Sequence, residues 1–161
     1  MNQTHIHLLI THLPIFGSLF GAFVLAYGLW TGSNKTKIAA YFLFIISSIG
    51  AGIAYLTGEG AEETVEDIQG VVEATIKQHS EFAEVALIAL IILGIASLVG
   101  LFLTMRRSPL SVAVATIIFL ISLVSFGLVA RTGYLGGQIR HTEIANGATT
   151  TTENSEKDTY D

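Results

Sequence analysis

Long uncharged runs alternate with short charged ones along this chain. Residues 13–34, 38–58, 85–105 and 108–130 carry no Asp, Glu, Lys or Arg. Each run approaches or exceeds the ~20 residues a helix needs to cross ~30 Å of hydrocarbon. None shows the polar face of a soluble amphipathic helix. The pattern predicts an all-α integral membrane protein, an up-down four-helix bundle. Residues 32–37 and 105–109 are short connections, and short connections make sequential helices antiparallel neighbours. Pro14 and Pro109 fall where helices start, which suits a residue with no N–H to donate.

The stretch 59–84 reads differently. It holds Glu59, Glu62, Glu63, Glu66, Asp67, Glu73, Glu81 and Glu84 against Lys77 alone. Val65, Ile68, Val72 and Ile76 recur every three or four residues. This predicts a short amphipathic surface helix between helices 2 and 3. From Asn146 the chain is Thr-rich and acidic and has nothing to build a core with. The expected organisation is a four-helix transmembrane domain over 1–145 and a disordered acidic tail over 146–161.

Composition narrows the chemistry. The 161 residues are 51% hydrophobic and 13% charged, about half the charge of a soluble domain. With no cysteine, disulfides, iron–sulfur clusters, thiolate zinc sites and covalently attached c-type haem are excluded in this chain. A net charge of −5 without a basic patch excludes nucleic acid as a partner and leaves the lipid bilayer. No Lys or Arg precedes the first apolar run, so it is expected to stay as an anchor and not to act as a cleaved signal.

Charge also predicts orientation. Lys35 and Lys37 mark one hairpin turn, and Arg106 and Arg107 the other. The positive-inside rule makes both turns cytoplasmic. The N- and C-termini then lie outside, together with all five histidines and all thirteen carboxylates. Arg131 and Arg140 are the outer cations that depart from the rule, which marks them for a specific role.

The two hairpins resemble each other. Each opens on a histidine, His12 or His79, turns on two basic residues and returns to Thr57-Gly58 or Thr132-Gly133. A pseudo-two-fold axis along the membrane normal would relate them. The first and third helices would be diagonal, with His12 and His79 facing across the outer half of the core. Two imidazoles from facing helices are how a bundle holds b-type haem. Arg131 and Arg140 suit its propionates, since guanidinium matches carboxylate. Gly136 and Gly137 read as a backbone turn near the cofactor. His7, His12 and His79 are expected to converge. His141 closes the site if Gly133, Gly136 and Gly137 fold the chain back.

Two other readings stand beside this one. His with Glu59, Glu62, Glu63, Glu81 or Glu84 suits a non-haem transition metal. Alternatively, the histidines cap helix ends at the interface and hold no cofactor. In that case small-residue faces at Gly17/Gly21 and Gly94/Ser97/Gly100 would suit a structural or assembly subunit of a larger complex. No hydrolase triad, phosphate loop or HExxH is present, so an electron-transfer or accessory role is expected in preference to an enzyme. Ion transport lacks the intramembrane ionisable residues that mark a pathway.

The segment His7-Leu-Leu-Ile-Thr-His12-Leu-Pro14-Ile15 resembles the H-P-x-x-x-H-F-P-I opening of a family of small four-helix bacterial membrane proteins of unassigned function. Thr57-Gly58-Glu-Gly-Ala-Glu62-Glu63, the His79 entry and Gly136-Gly137-x-Ile-x-His141 look like that family's other motifs. The resemblance spans residues 5–145 and departs at Leu8, where proline is usual. Some members are joined to c-type cytochrome domains. The resemblance therefore implies a bacterial inner-membrane location, a redox setting, and other membrane or cytochrome subunits as partners.

Overall fold

The computed structural model describes residues 3–66 and 73–140. Its helices are α1 (Gln3–Ile10), α2 (His12–Trp30), α3 (Asn34–Glu66), α4 (Glu73–Met105) and α5 (Ser111–Arg140). α1 and α2 together make one interrupted span, and four spans in all are long and apolar enough to cross a membrane. The interruption at Thr11 follows from Pro14. Proline has no N–H for the Ile10 carbonyl, and its ring disfavours helical backbone at Leu13.

α2 packs on α3 and α5, and α4 packs on the same two helices. The four form a ring, as expected, with α2 diagonal to α4. α1 lies along α3. The two hairpin turns share a device. A residue in the left-handed region ends the preceding helix, Gly32 (φ 67°) in one turn and Arg107 (φ 53°) in the other. Around Arg107 the N–H of Ser108 reaches Leu103 O at 2.9 Å, and that of Arg107 reaches Thr104 O at 3.1 Å. This paired closure satisfies the last carbonyls of α4.

The core is built from small and polar residues at alternating spacings of three and four. On α2 the buried stripe includes Pro14, Ser18, Gly21, Leu25 and Gly28. On α4 it includes Ala86, Leu90, Leu93, Ser97, Gly100 and Thr104. This is the 3.5-residue repeat of left-handed helix packing. α3 buries Lys37, Ala40, Phe44, Ser47, Ala51 and Ala54, and α5 buries Ala115, Ile118, Ser122, Ser125 and Val129. One constant spacing carries the whole α3 stripe onto α5, and another carries the α2 stripe onto α4. The hairpins thus repeat in register.

Buried hydroxyls are satisfied by carbonyls. Ser18 Oγ donates to Pro14 O at 2.6 Å and Ser47 Oγ to the same carbonyl at 3.1 Å. In the second hairpin Ser125 Oγ donates to Ala89 O at 3.3 Å. The glycine faces are used inside the bundle. Gly17 faces Ser47, Gly21 faces Phe44, Gly94 faces Ser48, and Gly100 faces Tyr41 and Ile118. They therefore do not form the free faces that a structural subunit would offer a partner helix. Exposed on the outside are large apolar side chains such as Phe20, Phe23, Ile95, Leu98, Leu120 and Val124, as suits lipid.

The acidic connection corrects one expectation. Residues 59–66 continue α3 and residues 73–84 begin α4, each helix running 33 residues; residues 67–72 lie outside the described residues. At 1.5 Å per residue such helices are ~50 Å long, well beyond ~30 Å of hydrocarbon. Of the periodic apolar residues, Ile76 is buried on α4, and Ile68 and Val72 lie outside the described residues. Gly133, Gly136 and Gly137 likewise form no turn and lie within α5. The predicted tail, 146–161, lies outside the described residues.

Candidate functional site

The end of the bundle opposite the hairpin turns brings two histidines into matching settings. His7, on α1, places Nδ1 2.9 Å from Ala54 O on α3. His79, on α4, places Nδ1 3.0 Å from Thr132 O on α5. A carbonyl only accepts, so each Nδ1 carries the proton and donates it. In the neutral ring, Nε2 then keeps its lone pair. No hydrogen bond among the described residues engages either Nε2.

Each ring also lies over a glycine one turn beyond its carbonyl partner. A Cβ at Gly58 would stand 3.5 Å from His7 Cε1, and a Cβ at Gly136 3.1 Å from His79 Cε1. A threonine hydroxyl accompanies each: Thr57 Oγ1 donates to Ile53 O at 2.9 Å and Thr132 Oγ1 to Leu128 O at 3.0 Å. Thr57 Oγ1 also lies 3.4 Å from His7 Nδ1. The spacing that relates Ser47 to Ser125 also relates Ala54 to Thr132 and Gly58 to Gly136.

Comparison with family models, with curated proteins and with solved structures finds no match for this chain.

His12 does not join the other two. Its ring is exposed on the outer face of α2, with Nδ1 2.9 Å from Leu8 O and a stacking contact to Phe16 at 6.2 Å between centroids. The cause is helical register. His12 is two residues before buried Pro14, ~200° around the helix, so it faces away from the core. His7 stands one heptad before Pro14, and His79 one heptad before buried Ala86. Both therefore extend the core stripes. That heptad relation is the sequence signal that separates His7 and His79 from His12. His5 is exposed like His12.

Arg131 is exposed, its guanidinium 5.8 Å from the Phe82 ring centre and 5.4 Å from that of Tyr134. It is held beside the site by aromatic faces and makes no ion pair among the described residues. Gly137 has open space where a Cβ would be. The side chains of Arg140, Glu59, Glu62 and Glu63, and all of His141, lie outside the described residues. Glu81 and Glu84 are exposed. Among the described residues no group of three or more His, Asp or Glu side chains stands together to hold a metal ion.

Among the described residues the donors brought together are two imidazoles without a carboxylate, fewer than the three or four protein ligands a non-haem ion takes. Two imidazoles would be enough for haem iron, because the macrocycle supplies the remaining nitrogens. Hydrogen-bonded Nδ1 atoms fix ring orientation and raise the basicity of Nε2, as around metal-bound histidines generally. The backbone acceptors Ala54 O and Thr132 O had no signal in the sequence, since every residue carries a carbonyl.

Proposed function

We propose that this protein is a membrane redox subunit that binds b-type haem through Nε2 of His7 and His79. The observation behind the reading is the matched pair of histidines. Each is oriented by a carbonyl on the neighbouring helix, each sits over a glycine, and each keeps one nitrogen free. Bound there, haem supplies one-electron chemistry. The chain's own part is to fix two neutral imidazoles, and Arg131 is the cation nearest in sequence to the Thr132 acceptor for propionates. The positive-inside rule puts the site on the outer side of a bacterial inner membrane, within reach of an external electron-transfer partner.

The protein purified from haem-replete cells should show a Soret band and, on reduction, an α-band. Both should be lost in His7→Ala and in His79→Ala, while the circular dichroism of the helices is kept. A colourless wild-type protein from such cells overturns the reading.

A further inference from the structure

Lys37 is the one charged side chain that the described core encloses. It is 2% exposed and occupies a core-stripe position on α3 whose counterpart in the second hairpin is Ala115, fully buried. Its stem runs across Gly28 of α2, where a Cβ would stand 3.0 Å from Lys37 Cγ and from Lys37 N. Glycine at position 28 thus makes the notch in which the lysine lies. No hydrogen bond or ion pair engages Lys37 Nζ among the described residues. Among those residues, every side-chain polar atom sealed from the surroundings has a partner, so the ammonium is the part of Lys37 left open.

An ammonium at the mouth of such a notch is partly desolvated, which costs free energy unless a counter-charge meets it. Among the described residues no carboxylate stands at that end. Lys35, Arg106 and Arg107 share the hairpin-turn end with Lys37, and the nearest carboxylates in sequence, Glu59 and Glu84, lie at the far ends of α3 and α4. Tyr41, one turn along α3, lies 3.4 Å from Thr104 Oγ1 of α4. Lys37 is therefore level with the Arg106–Arg107 turn. The position is the headgroup level of a bilayer spanned by the apolar runs, where the available anion is a lipid phosphate.

We propose that Lys37, seated against Gly28, is the anchor of a binding site for the phosphate of an anionic phospholipid headgroup. Snorkelling explains an apolar stem and a charged tip. It does not explain a lysine placed in a core register with a glycine notch cut for it.

The test is native mass spectrometry of the full-length protein in a neutral detergent, titrated with phosphatidylglycerol, with phosphatidylcholine of the same chains, or with inorganic phosphate. Phosphatidylglycerol should be retained about fivefold more tightly than phosphatidylcholine, whose phosphate is the same but is neutralised by its choline cation; about 1 kcal/mol per basic side chain at an anionic headgroup sets that scale. Lys37→Met keeps the stem and should remove that preference; Lys37→Arg should keep it, as should Lys35→Met at the exposed neighbour. Circular dichroism checks that each variant is folded. Three outcomes overturn the proposal: no phosphatidylglycerol preference in the wild type, an unchanged preference in folded Lys37→Met, or displacement of phosphatidylglycerol by inorganic phosphate, which would make the ligand a free anion.

Discussion

Replacing His79 by asparagine separates the two roles an imidazole can have at this position. The asparagine amide nitrogen occupies nearly the place of Nδ1 relative to Cβ, so His79→Asn can still donate to Thr132 O, now 3.0 Å away. It has nothing at the place of Nε2. His79→Ala removes both. A neutral hydrogen bond contributes about 1 kcal/mol net. The half-buried ring packed over Gly136 adds about 1 kcal/mol of burial. His79→Ala should thus destabilise the bundle by about 2 kcal/mol, and His79→Asn by about half of that. Reversible unfolding in mixed dodecyl sulfate and dodecyl maltoside micelles, followed by circular dichroism, reads this difference. The absorption spectrum reads the other role, and both variants should lack the Soret band. If His79→Asn keeps the wild-type spectrum, Nε2 is not a ligand. If it is as unstable as His79→Ala, the bond to Thr132 O does not hold the ring.

Further outcomes follow from the same geometry. His12→Ala should leave haem content unchanged by absorption spectroscopy, because that ring is exposed and bonded within its own helix. Gly58→Ala should be tolerated and stabilise by up to about 1 kcal/mol in the unfolding assay, the helix-propensity gain over glycine. Gly136→Ala meets His79 at 3.1 Å and should instead shift the Soret maximum or lower haem content. Arg107→Gly should stabilise by up to about 1 kcal/mol, relief of left-handed strain partly offset by glycine's unfolded-state freedom.

The spans were legible because ~20 uncharged residues leave few alternatives to a membrane helix. Their true lengths were not. The polar stretches after Gly58 and before Val85 look like a connection, and nothing local says whether a helix that leaves the apolar layer stops or continues. Glycine was misread for a related reason. Gly136 signals a turn only where the backbone needs positive φ, and here it gives room to a ring while the helix runs on. The histidine site was legible in part. His7 and His79 were both named, but the His-x-x-x-x-His-x-Pro motif drew weight to His12, whereas the heptad spacing from Pro14 matches His7 to His79 and leaves His12 exposed. The buried Lys37 could not be told from its exposed neighbour Lys35 by composition. Only the core stripe of α3 distinguishes them.

The repeat bears on whether the two histidines are ligands or caps. A capping histidine needs one carbonyl and no matching histidine in the other hairpin. The bundle nevertheless sets His7 and His79 at equivalent places on α1 and α4 and ties both by Nδ1, which leaves Nε2 of each ring outside that bond. A pseudo-two-fold operation that exchanges the hairpins exchanges the two Nε2 atoms as well. A group bound by both must then sit on or near the axis, between α1 and α4, and present equivalent faces to each. The inequality of the glycine contacts, 3.5 Å at Gly58 and 3.1 Å at Gly136, shows where the symmetry is broken. The His79 side is the tighter one, so it is there that a single added methyl should be felt first.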